Sequence, residues 1–177
     1  MSPSISSNVP RAQRITTVPP QPPPLERAPK LDGPAPYVLI VRAPYYPEVV
    51  DGLRDGAVRI LNEAAARFEV LDVAGAMELA GAVRLAVHGR RRFDGYVALG
   101  CVVKGATDHY EHVCREAMSG LTAVALTHGL CVGNGLLTVD KIEQALARAS
   151  ADGFNKGAEA AVAALLQIRA ARWLGER

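Results

Sequence analysis

The sequence has few cysteines and no large excess of either charge. Its three cysteines, Cys101, Cys114 and Cys131, are odd in number, and no two of them have the spacing of a Cys-x-x-Cys motif. This pattern does not favour a disulfide framework or a metal site, and we expect the reducing cytoplasm as the location. The formal net charge is only +2, which leaves no surplus of basic residues to neutralise nucleic-acid phosphates.

The sequence also has no long hydrophobic run and no proline after Pro47. No apolar run approaches the ~20 residues of a membrane-spanning helix, so we expect no membrane partner. All 12 prolines lie at or before Pro47, and residues 1–36 are rich in proline and serine. Such a segment cannot bury enough apolar surface to offset the entropy of ordering it, and it lacks the apolar core of a signal peptide. We therefore expect a disordered arm over residues 1–36 and one folded domain over residues 37–177.

Short apolar strands alternate with helices after this arm. The expected strands cover 37–42, 68–73, 95–103 and part of 130–139, where a glycine pair interrupts the strand. The expected helices cover 51–68, 77–88, 109–128, 140–150 with Asp140 as its cap, and about 156–174. This alternation predicts an α/β fold with a four-stranded parallel sheet. Apolar residues cover most of the girth of the helix 109–128, so we expect it to be buried on more than one side.

The ends of the four strands carry the candidate site, because ligands of open parallel sheets bind beyond the carboxyl ends of the strands. The segments at these ends read APYYP (43–47), AGAME (74–78), KGATDH (104–109) and GNG (133–135). A dinucleotide site needs a glycine-rich turn between strand and helix, but the residues after GNG continue as strand. The sequence also lacks a Walker phosphate loop, a Ser/Thr-rich phosphate turn of the flavodoxin kind and the acidic cluster of a response-regulator receiver.

The segment KGATDH suits an anion beside a proton-transfer group. Gly105 and Ala106 allow a ligand to approach backbone N–H groups at the start of a helix, where the helix dipole favours negative charge. Thr107 adds a hydroxyl donor, and His109 could move protons near neutral pH. The alternative is a helix cap followed by an exposed histidine, and the segment taken alone favours this simpler interpretation.

Three motifs in order resemble one family over almost the whole folded part, residues 37–174. They read FDGYVALGCVVKGATDHYEHV (93–113), GNGLLTVDKIEQALARA (133–149) and NKGAEAA (155–161). The pattern is similar to that of 6,7-dimethyl-8-ribityllumazine synthases, and its GNG form resembles the alphaproteobacterial members. The resemblance implies a flavodoxin-like, three-layer α/β/α sandwich.

The resemblance also implies an enzyme of riboflavin biosynthesis that needs no cofactor. Members of the family condense 5-amino-6-ribitylaminouracil with 3,4-dihydroxy-2-butanone 4-phosphate and release phosphate and water. They are homo-oligomers, pentamers or assemblies of pentamers, with sites at subunit interfaces, and riboflavin synthase is a candidate partner. A non-catalytic shell-forming or flavin-binding paralogue on the same fold is the alternative.

The resemblance assigns roles to thirteen residues. His109 matches the proton-transfer residue, Tyr45 matches the aromatic residue that stacks on the pyrimidine, and Glu78 matches the acceptor for the ribityl hydroxyls. The residues that match pyrimidine- and ribityl-binding positions are Tyr45, Tyr46, Ala76, Met77, Glu78, Val102, Val103 and Asn134. Those that match phosphate-binding positions are Ala106, Thr107, Arg148 and Lys156. The simpler interpretations are a surface tyrosine for Tyr46 and a solvated carboxylate for Glu78.

The chain departs from the family pattern in its loops. Ala74 and Ala80 stand where the family has prolines, Cys131 replaces a third proline, and Lys104 replaces an arginine. Because proline restricts the chain before folding, we expect a less preorganised site that keeps its activity. In the family, site residues from the last third of the chain face the first three strand ends across neighbouring subunits. We therefore expect the site to be completed on assembly.

Overall fold

The computed structural model describes residues 27–152 and 154–175. The strands in this part of the chain are β1 (Tyr37–Arg42), β2 (Arg67–Asp72), β3 (Gly95–Val103) and β4 (Val132–Val139). The helices are α1 (Pro47–Glu63), α2 (Glu78–His88), α3 (His109–His128), α4 (Ile142–Ala149) and α5 (Lys156–Leu174). The first 26 residues of the expected disordered arm lie outside the described residues, so the arm stays a prediction.

The four strands form one sheet in the order β2-β1-β3-β4, and every neighbouring pair is parallel. Side chains alternate between the two faces of a strand. Val38 and Ile40 pack in the core formed with α1, α4 and α5, whereas Leu39 and Val41 pack in the core formed with α2 and α3. Helices therefore cover both faces, which confirms the predicted three-layer α/β/α sandwich with a four-stranded parallel sheet.

The first helix begins and ends earlier than its apolar periodicity indicates. α1 begins at Pro47 rather than Asp51, because proline has no N–H to satisfy and is accepted in the first turn of a helix. It ends at Glu63 rather than near Phe68, since Ala65 has a φ of 51°, which lies outside the helical region.

The expected cap of the fourth helix is wrong. α4 begins at Ile142, so Asp140 lies too early to cap it. The side chain of Gln144 instead accepts hydrogen bonds from the backbone N–H groups of Asp140 and Lys141, at 3.0 and 3.2 Å. A side chain inside the helix therefore satisfies the donors that precede it.

The glycine pair of GNG does not interrupt β4, which runs unbroken through Gly133 and Gly135. A Cβ atom at Gly133 would lie 1.9 Å from the carbonyl oxygen of Ala160, and one at Gly135 would lie 3.2 Å from the Cβ of Ala160. Gly133 therefore lets α5 pack against β4 at backbone distance, so the glycines have a packing role and do not interrupt the strand.

The helices differ in how many of their residues are buried within the single chain. In the described chain α3 buries only Ala117, Leu121 and Val124, and Leu126 on the same helix is 79% exposed. The prediction that α3 is buried on more than one side is therefore wrong for the single chain. α5, by contrast, buries eight of its residues, and it packs against α1 and the sheet. None of the helices in the described residues is both long and apolar enough to cross a membrane.

The segment before β1 lies against the end of α5. Ala28 and Leu31 pack against the core of α1 and α5. Arg172 donates hydrogen bonds to the carbonyl oxygens of Asp32, at 2.6 Å, and Pro34, at 2.8 Å. Because this segment leads into the first strand, the carboxyl end of α5 lies at the amino edge of the sheet.

Candidate functional site

Nine of the thirteen predicted site residues line one cavity of about 330 Å³ beyond the carboxyl ends of β1 and β3. These nine are Tyr45, Tyr46, Ala76, Met77, Glu78, Val102, Val103, Thr107 and His109. They come from the loop after β1, the segment that leads into α2, and the end of β3 with the start of α3. Open parallel sheets bind ligands at this edge, and the volume lies in the range of small-molecule sites.

Two tyrosines form one wall of this first cavity. The ring centroids of Tyr45 and Tyr46 are 5.1 Å apart, and the rings meet edge to face at 68°. Tyr45 is 73% exposed, so most of its ring faces solvent in the single chain. Tyr46 is half-buried and packs against the core of α1, and burial raises the pKa of its hydroxyl. Tyr46 is thus more than a surface tyrosine, and the pair gives the cavity an aromatic wall on which the exposed ring of Tyr45 offers a flat face.

The loop between β2 and α2 forms a second wall. Within this loop Ala76 is buried, whereas Met77 is 49% exposed. Glu78 begins α2, and its backbone N–H donates a hydrogen bond of 3.2 Å to the carbonyl oxygen of Gly75. Within the described residues no hydrogen bond or ion pair involves the Glu78 carboxylate. Its oxygens are therefore available as acceptors at the edge of the cavity.

The start of α3 forms the third wall. Thr107 lines the cavity, and His109 follows as the first residue of the helix. No side chain caps α3, so its first backbone N–H groups are open to an anion. Ala106 is exposed between two lining residues, Gly105 and Thr107, and does not itself line the cavity. The start of α3 therefore brings backbone N–H groups and a histidine to the same wall of the cavity.

The remaining three predicted residues, Asn134, Arg148 and Lys156, line a second cavity of about 420 Å³ along β4. Nη1 of Arg148 donates a hydrogen bond of 2.8 Å to the carbonyl oxygen of Gln144. The Nζ atom of Lys156 lies 2.7 Å from Oε2 of Glu159. The second cavity therefore carries two cations, one of them paired, and neither lines the cavity that His109 lines.

Tyr110, to which the motif assigns no role, lines both cavities. Burial is the main cause that raises the pKa of its hydroxyl, and the nearby Cys114 adds to the rise. Its place directly after His109 was the available signal. Consecutive residues in a helix point in different directions, so a tyrosine there can extend towards β4.

Cys101 is a second lining residue of the first cavity that the motif does not mark. The side chain is only 4% exposed. Burial, with a smaller contribution from Cys114, raises the pKa of Cys101 to about 11. The thiol is therefore protonated at neutral pH and is a poor nucleophile. The described residues hold no group of three or more His, Cys, Asp or Glu side chains that could bind a metal ion.

Comparison with known proteins gives matches over the whole folded part of the chain. The family model described as 6,7-dimethyl-8-ribityllumazine synthase matches residues 36–172. A 6,7-dimethyl-8-ribityllumazine synthase of Bartonella tribocorum is 42% identical over 141 residues, which cover 80% of this chain and 93% of that protein. The synthase of Nitrobacter winogradskyi is 43% identical over 143 residues, covering 78% and 88%. That of Agrobacterium fabrum is 40% identical over 144 residues, covering 79% and 97%.

Proposed function

The chain belongs to the 6,7-dimethyl-8-ribityllumazine synthase family, and we propose that it condenses 5-amino-6-ribitylaminouracil with 3,4-dihydroxy-2-butanone 4-phosphate in the cavity that His109 lines. It is thus a transferase of riboflavin biosynthesis that releases phosphate and water. One observation carries the proposal: nine residues that match substrate and catalytic positions come from three distant segments and surround a single cavity.

The pyrimidine substrate binds on the side of the cavity that the tyrosines form. Its flat ring stacks on the exposed ring of Tyr45, and the backbone of Val102 and Val103 meets its edge. The ribityl hydroxyls donate hydrogen bonds to Glu78, whose carboxylate has no other partner among the described residues. Hydrogen bonds to a charged acceptor are stronger than neutral ones, so Glu78 contributes most to holding the ribityl chain.

The butanone phosphate binds at the start of α3. Its phosphate accepts hydrogen bonds from the uncapped backbone N–H groups of the helix and from the hydroxyl of Thr107. Ala106 has only a methyl group, so the phosphate can approach the backbone at this turn. Arg148 supplies a planar pair of donors, and Lys156 supplies a second positive charge near the same phosphate.

The reaction needs several proton transfers between two substrates fixed side by side. The 5-amino nitrogen attacks the ketone carbonyl, and loss of water gives a Schiff base. Removal of a carbon-bound proton then expels phosphate, and the ribitylamino nitrogen closes the ring with a further loss of water. His109 accepts and returns these protons, while holding the two reactants together supplies a large share of the rate.

The position of Arg148 and Lys156 supports a site that two chains share. Both residues line the second cavity of the same chain, which runs along β4, and β4 is an edge of the sheet. We infer a ring in which the second cavity of one chain meets the first cavity of the next through a heterologous contact. A pentamer, or an assembly of pentamers, provides this arrangement. Asn134, which lies on the same edge, then contacts the pyrimidine bound to the neighbour.

A steady-state assay that follows the absorbance of the lumazine product tests the activity. We expect turnover with both substrates and none when either is omitted. Assembled protein that shows no turnover at saturating substrate would favour the shell-forming or flavin-binding alternative. We place the enzyme in the cytoplasm, with riboflavin synthase as the partner that consumes its product.

Mixing two impaired variants tests the shared site. If His109→Ala and Arg148→Ala chains are unfolded and reassembled together, about a quarter of the interfaces regain an intact site by random mixing. Reassembly of either variant alone regains none. Mixed rings, verified by native mass spectrometry, that are no more active than the separate variants would show that the site lies within one chain.

A further inference from the structure

Arg42, the last residue of β1, makes charged contacts with two neighbouring elements. Its Nε and Nη2 atoms lie 2.6 and 2.9 Å from the two carboxylate oxygens of Asp72, the last residue of β2. Its Nη1 atom lies 2.7 Å from Oδ1 of Asp51 on α1. Arg42 and Asp72 are direct partners in the strand register, so the planar guanidinium meets the carboxylate in the bidentate geometry that arginine favours.

Asp72 directly precedes the loop 73–77, which leads to Glu78. The loop reads VAGAM and contains no proline, so its own covalent structure restricts it little. At the start of the loop, the backbone N–H of Val73 donates a hydrogen bond of 2.8 Å to the carbonyl oxygen of Arg42. Arg42 therefore contacts the beginning of the loop through its backbone, and through its side chain it contacts the residue before it.

We propose that Arg42 is a positioning residue for the pyrimidine substrate. Its pairing with Asp72 sets the direction in which the loop 73–77 leaves the sheet, and thereby places Glu78 at the edge of the first cavity. The inference rests on the proposed function, which assigns the ribityl hydroxyls to Glu78. The Arg42–Asp72 pair thus limits the conformations of the loop 73–77, as a proline in the loop would do by restricting φ.

Burial distinguishes this pair from an ordinary surface ion pair. The side chain of Arg42 is 13% exposed, whereas that of Arg59, which pairs with Glu63 on α1, is 50% exposed. The hydrogen bonds from Arg42 lower the pKa of Asp72, so the pair is fully charged at neutral pH. Exposed pairs hold their geometry weakly because water and salt compete with them. The Asp72 side chain is half exposed, but its bidentate partner Arg42 is largely shielded from solvent, so this pair holds its geometry better.

Substitution of Arg42 by Met tests the role, because it removes the charge and keeps an apolar stem. We expect Arg42→Met to raise KM for the pyrimidine about ten-fold and to leave KM for the butanone phosphate within about two-fold. Adding Ala74→Pro to Arg42→Met should return KM for the pyrimidine most of the way to the parent value, since proline restricts the loop directly. The backbone N–H of Ala74 has no acceptor among the described residues, so proline removes no hydrogen bond there. Arg59→Met is the matched control and should leave both constants unchanged.

Several results would overturn the proposal. Unchanged constants with a lower Tm, or equal rises in both constants, would mean that Arg42 only stabilises the fold. A double variant as impaired as Arg42→Met alone would contradict a role in placing the loop. If Arg42→Met fails to fold, Arg42→Lys keeps the charge without the bidentate geometry. Arg42→Lys should show a smaller rise in KM, confined to the pyrimidine. An unchanged KM for the pyrimidine would contradict the positioning role of Arg42.

Glu78→Gln separates this inference from the proposed function. An unchanged KM for the pyrimidine in Glu78→Gln would show that the proposed ribityl contact is wrong, and the role of Arg42 would fall with it. A raised KM in Glu78→Gln together with unchanged constants in Arg42→Met would reject only the positioning role. A raised KM for the pyrimidine in both variants, with the control unaffected, supports both.

Discussion

Nδ2 of Asn155 donates a hydrogen bond of 2.9 Å to the carbonyl oxygen of Gly52, although 103 residues separate the two in sequence. The same nitrogen donates to the carbonyl oxygen of Ala149 at 2.8 Å. The side-chain oxygen accepts from the backbone N–H groups of Gly157 and Ala158, at 2.9 and 3.0 Å. A single amide, only 7% exposed, therefore joins α1, the end of α4 and the start of α5.

Replacement of Asn155 should destabilise the fold more than any surface substitution. Asn155→Ala leaves the buried backbone N–H groups of Gly157 and Ala158 without an acceptor and the carbonyl group of Ala149 without this donor. We expect a loss of about 3 kcal/mol in the free energy of unfolding. Urea unfolding followed by circular dichroism measures this loss. Asn62→Ala, at an exposed position of α1, is the control and should stay within about 0.5 kcal/mol of the parent.

Alanine substitutions at two glycines should change the stability of the fold in opposite directions. Gly133→Ala would place a methyl group against the carbonyl oxygen of Ala160, and moving this backbone should cost about 3 kcal/mol. Gly81 lies exposed within α2 with nothing near its Cβ position, so Gly81→Ala should stabilise by about 0.5–1 kcal/mol through helix propensity. Thermal melting of both variants checks the pair. A neutral Gly133→Ala would mean that α5 is not held at backbone distance.

His109→Ala should lower kcat by about a hundred-fold or more, because the variant loses a group that transfers protons. KM for the pyrimidine should change little, since Tyr45 and Glu78 make those contacts. The matched control is His112→Ala, three residues further along α3, where the imidazole contacts Arg115 and not the cavity. An equal fall in kcat for both variants would point to damage to α3 rather than to lost chemistry.

Arg148→Ala should act mainly on the butanone phosphate. We expect KM for this substrate to rise about ten-fold or more, because a charge-assisted pair of hydrogen bonds to phosphate is lost. Arg148→Lys keeps the charge but not the planar guanidinium. Its KM for the butanone phosphate should therefore lie between the values of the parent and of Arg148→Ala. Lys141→Ala, just before the same helix, is the control. A rise in KM for the pyrimidine instead of the phosphate substrate would contradict the assigned contact.

Acid should remove the stability that the Arg42–Asp72 pair supplies. The pKa of Asp72 is lowered in the folded chain, chiefly by its hydrogen bonds to Arg42, so the unfolded chain takes up this proton more readily than the folded one. The contribution is therefore present above about pH 4 and is lost as the pH falls through the lowered pKa. We expect Asp72→Asn to cost about 1 kcal/mol at pH 7, since the Asp72 side chain is half exposed, and progressively less as the pH falls through the lowered pKa of Asp72. Asp55→Asn, in an exposed pair with Arg54, should cost little at either pH.

The order of strands and helices could be predicted from the sequence because each element carries its own period of apolar residues. The end of each strand then predicted which residues meet, and Tyr45, Glu78 and His109 do line one cavity. Short-range patterns were less reliable at element ends. Pro47 is a helix-starting residue that is equally typical of a loop, so the apolar periodicity predicts too late a start for α1.

Relationships between distant segments could not be predicted in the same way. The glycine pair of GNG looks like an interruption of the strand because glycine weakens a strand, and the position of Ala160 on α5 explains why β4 runs through it. Asn155 reads as the residue that opens a helix, while its bond to Gly52 depends on how α1 and α5 pack. The division of the thirteen predicted residues between two cavities likewise depends on the place of β4 at the edge of the sheet.

The helix α5 runs from the second cavity towards the opposite edge of the sheet. The helix begins at Lys156, beside the second cavity, and ends at Leu174, and 19 helical residues span about 28 Å. Its last turn lies with Asp32 and Pro34 at the far edge of the sheet. A purification tag or a second domain fused beyond Gly175 would thus start on the side away from both cavities. We expect such a fusion to leave both cavities accessible.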